Sequence, residues 1–305
     1  MQALAKPLIR DALDRGRLYI REGYLQPLSL AQIAEVAGVS PYHFSRQFTA
    51  RFGAGPMSYL RALRLAHAAH RLSERPKPNL AQLAFDCGFE SQEGFTRAFA
   101  RVYGAPPGRF RRKQQLIEEP DLMSSPPIRS VRLTGGDVPH LGPALRIAGV
   151  SRVFSEVNRH EIPALWATLF STPGVSDQAR GRTFGVCCAT DEPDGDLSYT
   201  AGFEILDDAG SPPGLALITL PARSYLVFQM TVDGSDLHPQ MQAAAREIWG
   251  VRVPACGFVL DRAPDLEVYP ADFDPTRPGA FLEWWLPVRS GGADSALTNP
   301  EPLHG

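Results

Sequence analysis

Two arginines, Arg46 and Arg97, stand fifty-one positions apart in the closely similar strings SPYHFSRQF and SQEGFTRAF. A guanidinium carries its donors in a planar fork, which can hold the O6 and N7 edge of a guanine or clamp a phosphate. Beside Arg46 stand Tyr42, Ser45 and Thr49, and beside Arg97 stand Ser91, Gln92, Glu93 and Thr96. These hydroxyl, amide and carboxylate groups are of the kinds that meet phosphates and base edges. Glu93 has two uses facing DNA: it accepts from a cytosine N4 amine, or it repels phosphate and excludes other sequences. A different chemistry is written near the end of the chain in FLEWWLPV, where Glu283 lies between Phe281 and Trp285. A carboxylate walled by rings suits a ligand cation, through charge pairing and cation–π attraction of roughly 0.5–2 kcal/mol per contact.

The arginines belong to an internal repeat. Leu30-Ala31-Gln32-Ile33-Ala34 returns as Leu80-Ala81-Gln82-Leu83-Ala84, and Gly38 returns as Gly88. After a one-residue insertion Phe44, Arg46, Phe48, Gly53 and Pro56 return as Phe95, Arg97, Phe99, Gly104 and Pro107. Each copy reads as a short helix (29–36; 79–85), a glycine turn, and a second helix opened by Ser40 or Ser91 as N-cap. That is helix-turn-helix order, in which the second helix enters the major groove. At about 100° per residue Phe44, Phe48 and Phe52 form one stripe, and Tyr42, Ser45, Arg46 and Thr49 the opposite face. The same projection places Phe95, Phe99, Val102 and Tyr103 inside and Glu93, Thr96, Arg97 and Ala100 outside, with Arg46 and Arg97 at matching angles.

These strings, with the closing GAPPGRFRR, make residues 29–112 resemble the DNA-binding domain of the AraC/XylS family of transcription regulators. The resemblance implies seven helices, two of them reading successive major-groove faces, joined by a long helix here expected over 56–73. Gly94 departs from a good helix former inside the second reading helix, at about 1 kcal/mol relative to alanine.

Length and composition, 305 residues with 44% hydrophobic and 21% charged, indicate a soluble protein of about two domains. No apolar run approaches a membrane span and the opening residues read as an amphipathic charged helix, so a cytoplasmic protein with no membrane partner is expected. Charge is divided unevenly: residues 1–113 hold 18 Lys+Arg against 8 Asp+Glu, and the remainder 13 against 25. The basic part suits a polyanion such as double-stranded DNA, and the acidic part is expected to point away from it. Cys87, Cys187, Cys188 and Cys256 show no CxxC spacing, and His67 and His70 lack further ligands nearby. Reduced thiols, no metal site, no cofactor and no catalytic motif are expected.

The expected division is a DNA-binding domain over 1–113, a linker over 114–126, an effector domain over 127–290 and a disordered tail over 291–305. In the effector domain strands are expected at 128–133, 145–154, 183–189, 197–205, 215–220, 222–232, 265–269 and 281–288, with helices at 159–170 and 240–249. The order suggests an α+β fold with an internal duplication, following the all-α double helix-turn-helix. The strings RIAGVSRVFSEV, PDLEVY and FLEWWLPV resemble the GyrI-like ligand-binding domain. The resemblance implies duplicated strand-helix-strand-strand halves around a groove for small, often cationic or aromatic compounds, with an acid on a late strand.

Alternation puts Phe281, Glu283 and Trp285 on one face of the closing strand and Leu282, Trp284 and Leu286 on the other. The apolar face is expected on the helices, and the Glu283 face on the groove. Glu283 could instead be paired internally, with Arg152 or Tyr199. Glu267 is the second acid, with a surface place expected. Asn158, Trp166, Phe154, Tyr199 and Tyr269 are candidate pocket wall. The reading is a ligand-responsive regulator with DNA, a small-molecule effector and RNA polymerase as partners, as monomer or dimer. A hydrolase of toxic electrophiles with Glu283 as general base, and a groove that contacts only a protein partner, remain open.

Overall fold

The computed structural model describes residues 11–74, 77–113, 131–155, 158–172, 181–190, 196–205 and 212–289. The expected linker over 114–126, the expected tail over 291–305 and the start of the expected strand at 128–130 lie outside the described residues.

Seven helices come first: α1 (Ala12–Gly23), α2 (Leu30–Ala37), α3 (Pro41–Phe52), α4 (Pro56–Ser73), α5 (Leu80–Asp86), α6 (Gln92–Tyr103) and α7 (Pro107–Lys113). The second helix of each unit starts where a serine hydroxyl accepts a backbone N–H, Ser40 from His43 and Ser91 from Gly94. Gly94 therefore occupies the first turn of α6, where a capped N–H and little helix precede it, and the penalty expected for an interior glycine does not apply in full. Gly38 and Gly88 close the preceding helices at φ of 78° and 71°, a left-handed turn that side chains resist.

Each unit has its own core. Phe44, Phe48 and Phe52 pack with Ile20, Ile33 and Tyr59, while Phe95 and Phe99 pack with Leu72, Leu83 and Phe110. The joining helix α4 links the two through Arg64, which donates to the carbonyls of Tyr24 (2.8 Å) and Gln26 (2.9 Å) near the first unit and of Gly88 (3.3 Å) in the second.

The second half is one antiparallel sheet of eight strands with helices on one face. The strands are β1 (Arg132–Gly142), β2 (Leu145–Phe154), β3 (Thr183–Ala189), β4 (Leu197–Glu204), β5 (Ala216–Leu220), β6 (Arg223–Thr231), β7 (Asp265–Tyr269) and β8 (Phe281–Pro287). Helix α8 (Ile162–Ser171) follows β2, and α9 (Leu237–Glu247) follows β6 and continues through a π-helical turn, Ile248–Arg252. The order is β1-β6-β8-β7-β3-β4-β2-β5. Read outward from the middle, β7-β8-β6 mirrors β3-β4-β2, which is the expected duplication. Strands β1 and β5 exchange sides, each pairing with the other half. Strand β1 extends through Gly135 and Gly136 to Gly142 by a register shift between Gly135 and Pro139, so the glycines bend a strand where its end was expected.

Two cores sandwich the sheet. On the helix face α9 and the π turn cover Phe228, Leu282, Trp284 and Leu286, and α8 covers Phe154, Tyr199, Ala201 and Phe203. On the other face Ile147, Phe184, Val186, Tyr225, Leu266 and Trp285 make a separate cluster. Between the two helix-covered halves run β7 and β3, at the middle of the sheet.

Gly16 of α1 fixes the first unit: a Cβ there would overlap the ring of Phe44. Gly16→Val should therefore destabilise the protein by about 1–3 kcal/mol through overpacking, read as a lower urea midpoint with unchanged slope.

Candidate functional site

Strand β7 carries Asp265, Glu267 and Tyr269 on one face, because side chains alternate along a strand. That face is the floor of the groove between α8 and α9. Glu267 Oε2 accepts from Tyr199 Oη of β4 at 2.7 Å and from Tyr269 Oη at 2.9 Å. Trp166 of α8 donates its indole N–H to Tyr199 Oη at 3.0 Å and meets the Tyr269 ring edge-on at 5.2 Å. Gly185 of β3 makes this possible, since a Cβ there would overlap Tyr199 Oη and come within 2.7 Å of Glu267 Oε2. Burial pushes the Glu267 carboxyl up from its ordinary value, against the Tyr199 and Tyr269 hydrogen bonds and the Arg46 charge that favour the anion.

The groove is not open. Helix α3, the second helix of the first helix-turn-helix, lies in it. Tyr42 Oη donates to Asp265 Oδ2 at 2.5 Å. Arg46 donates to Tyr42 Oη from Nε (3.2 Å) and Nη2 (3.0 Å), and its Nη2 lies 3.9 Å from Asp265 Oδ2. Its guanidinium sits 5.4 Å from the Tyr42 ring centre and 5.6 Å from that of Trp249 in the π turn. His43 stacks on Trp249 at 5.9 Å and 29°. Further along, a Cβ on Gly250 would stand 3.5 Å from that of Ala50. Beside Arg46 a residual cavity of about 20 Å³ is lined by Cys187, Trp249, Asp265, Glu267 and Trp284. Asp265 Oδ1, Trp284 Nε1 and His43 Nε2 are buried without a hydrogen-bond partner among the described residues. Burial raises Asp265 to about 6 against the Arg46 charge and the Tyr42 hydrogen bond. Burial, with Arg46 and Arg262 adding, lowers His43 to about 4.

The two acids of the groove floor, which belong to the acidic part of the chain, approach helix α3 of the basic part. Net charge is the wrong measure at this distance. What α3 meets is two carboxylates and a wall of rings, which attract a guanidinium.

On α6 the same positions are bare. Arg97 is 69% exposed and pairs with Glu93 one turn earlier. Gln92 and Ser91 are exposed, and the hydroxyls of Thr96 and Thr49 return to the carbonyls of Gln92 (2.7 Å) and Ser45 (2.7 Å) of their own helices. Ser91 is spent on its cap.

The expected effector residues divide between two places. Tyr199, Tyr269 and Trp166 gather around Glu267, and Phe154 lies fully buried beneath, edge-on to Tyr199 at 6.5 Å. Asn158 accepts from Ser155 N at 2.7 Å in a local turn. Glu283, Trp285 and Phe281 face the opposite side of the sheet. There Glu283 accepts from Trp285 Nε1 at 2.8 Å and, with Tyr225, His140 and Gln229, borders an open hollow of about 440 Å³. Internal pairing of Glu283 with Arg152 or Tyr199 is not what occurs: Arg152 meets Glu161 at 2.7 Å and Tyr199 meets Glu267. Nor is Glu267 on the surface. The apolar face of β8 packs on the helices and the Glu283 face borders the open hollow, while Glu267 stands on the helix face of the sheet. Asp265, Trp249, Trp284 and Cys187 were not among the expected site residues. The acid-x-acid-x-Tyr alternation of β7 was the signal for the first of them.

Family models match in two parts: a helix-turn-helix domain over residues 33–113 and a GyrI-like small molecule binding domain over 142–289. The multiple antibiotic resistance protein MarA of Escherichia coli is 34% identical over 93 residues, 30% of this chain and 72% of that protein. The chain belongs to the AraC family of transcription regulators. LumQ of Photobacterium leiognathi, a probable transcriptional regulator, is 37% identical over 93 residues, 30% of this chain, and the match spans 37% of its length. For the second half, a structure of SAV2435 bound to tetraphenylphosphonium aligns with TM-score 0.42 at 20% identity, over 53% of this chain and 94% of that one. Among the described residues no helix of this family member is long and apolar enough to cross a membrane.

His43 gives the AraC-family chain a pH signature. Its folded value lies below the ordinary 6.5, so the stability it contributes is full above that value and is lost as pH falls toward 4. Asp265, raised to about 6, runs the other way, its cost shrinking as pH falls through that value. Asp265 is common to wild type and His43→Gln, so between pH 7 and pH 5 the wild type should lose about 2 kcal/mol relative to the variant in urea unfolding.

Proposed function

We propose that this chain is a ligand-responsive, sequence-specific DNA-binding regulator. Helices α3 and α6 read major-groove faces about 34 Å apart, one helical turn. The groove between α8 and α9 takes a small aromatic cation. The observation that carries the ligand class is Glu267, half-buried at the middle of the sheet between two tyrosine hydroxyls and beneath Trp166, with a guanidinium already seated nearby. Desolvated carboxylate and ring faces both favour a cation, and neither favours an anion or a neutral sugar.

Glu283 supports a second location on the other face, in the larger and more open hollow, with Trp285 and Tyr225 as wall. Glu267 is favoured over it because burial pushes its carboxyl up and its ring partners converge from three elements. The groove serves as sensor rather than catalyst, and RNA polymerase is the partner that an occupied protein engages on DNA.

Tryptophan fluorescence of the full chain, titrated with tetraphenylphosphonium and other aromatic cations, tests the site. Saturable quenching should weaken tenfold or more, about 1.4 kcal/mol, in Glu267→Gln and stay unchanged in Glu283→Gln. The opposite ranking moves the site to the other face, and recovery of an altered compound moves the reading toward the hydrolase. For DNA, Arg97→Ala should cost about 1–3 kcal/mol at a selected site, with altered preference at one base, in gel-shift titrations at fixed salt. A uniform loss across unrelated duplexes would reassign Arg97 to phosphate.

A further inference from the structure

Because α3 and α6 are copies, their outward stripes can be compared residue for residue. Tyr42, His43, Arg46 and Ala50 of α3 correspond to Glu93, Gly94, Arg97 and Arg101 of α6. The stripe on α6 is charged, and Arg97 is 69% exposed. The stripe on α3 is aromatic and small, and the Arg46 side chain is 20% exposed. Each difference matches a contact: Tyr42 reaches Asp265, His43 stacks on Trp249, and Ala50 lets Gly250 approach. An arginine at position 50, as at 101, would hold the π turn away.

Resting on the reading of the groove as a cation site, we infer that the groove's resident occupant is the first reading helix: Arg46 stands in for the ligand cation, and α3 is withheld from DNA until a cation entering beside Glu267 and Asp265 displaces it. Arg46 cannot lie between Tyr42 and Trp249 and also reach a base edge, so the docked form keeps only α6 free to read. DNA and ligand both favour the undocked form, and each therefore raises the affinity of the other. If the docked form is about 99% of the population, the apparent affinity for a two-helix DNA site falls about a hundredfold. The ligand thereby switches DNA binding on.

A reversible lock tests this in the full chain. The Cβ separation of 3.5 Å between positions 50 and 250 is within the range of a disulfide. Ala50→Cys with Gly250→Cys should crosslink in the native protein, using Ala50→Cys alone as control for the natural cysteines. Against a duplex selected from a random-sequence pool with the reduced double variant, the oxidised form should bind at least tenfold more weakly, and dithiothreitol should restore it. Gly250→Arg, a wedge outside both the groove floor and the DNA face, should bind that duplex at least tenfold more tightly than wild type, and should bind benzamidinium more tightly as well. The inference is overturned if no crosslink forms, if oxidised and reduced proteins bind DNA alike, or if a wedge variant with native near-ultraviolet circular dichroism gains nothing. The cation-site reading fails separately: the lock then controls DNA binding while no aromatic cation, benzamidinium included, quenches the wedge variant. Failure to select any duplex sinks the DNA reading and leaves docking to be judged by the crosslink.

Discussion

A guanidinium leaves water only where anions, hydroxyl oxygens or ring faces replace its hydration, and the arrangement of the two halves of this protein turns on that constraint. Arg46 has Tyr42 Oη as acceptor, Asp265 at 3.9 Å, and the Tyr42 and Trp249 rings about it. Each of these comes from a different level of the fold. Tyr42 is one turn earlier on the same helix, Asp265 is on the central strand, and Trp249 is held by a π turn that α9 would not otherwise make. A π turn inserts one residue into the helical register, which rotates the later residues of the helix and swings Trp249 and Gly250 toward α3. Remove any of the three and the charge is left in a dry groove with too few partners.

The sheet supplies the place for that charge by its symmetry. The mirrored order around β7 and β3 sets α8 over one half and α9 over the other, leaving the two middle strands as the floor between them. A bare strip of sheet between two helices must either face water or receive something. Apolar residues there would invite aggregation, and this chain instead places Asp265 and Glu267 on the strip. Buried carboxylates are costly without partners. Glu267 has two tyrosine hydroxyls, whereas Asp265 has Tyr42 on one oxygen and no partner among the described residues on the other. The strip is thus only partly satisfied by its own domain, which is the property a binding groove needs.

Much of this was legible in the residues and some was not, for identifiable reasons. The helix-turn-helix repeat was legible because turn glycines, caps and phenylalanine stripes are local and recur at a fixed offset. The strands of the second half were legible by alternation, and of the five residues read as candidate pocket wall Tyr199, Tyr269 and Trp166 lie together, around Glu267 rather than Glu283. Glu283 drew attention because its flanking rings are adjacent in sequence, whereas the rings around Glu267 come from β4, β7 and α8 and are brought together only by the sheet order. Alternation tells which residues share a face but not which face a groove opens on. The docking of α3 was hidden for a different reason: Arg46 and Arg97 look alike in projection, and a solvent-facing arginine reads the same whether its partner is a phosphate or a carboxylate.

That ambiguity of arginine is also what the proposed switch uses, one side chain having two alternative partners. The fork that fits a guanine edge fits a carboxylate or a tyrosine oxygen, and its flat face stacks on a ring. DNA offers phosphates and base edges along a whole turn, and the groove offers two carboxylates and two rings in a dry place, so the two can be near in free energy while excluding each other in space. A lysine could pair with either anion but would lose the ring stacking and the fork. The groove therefore suits the kind of residue that a helix-turn-helix already carries, and Tyr42, His43 and Ala50 around Arg46, replaced by Glu93, Gly94 and Arg101 around Arg97, are the marks of that second role.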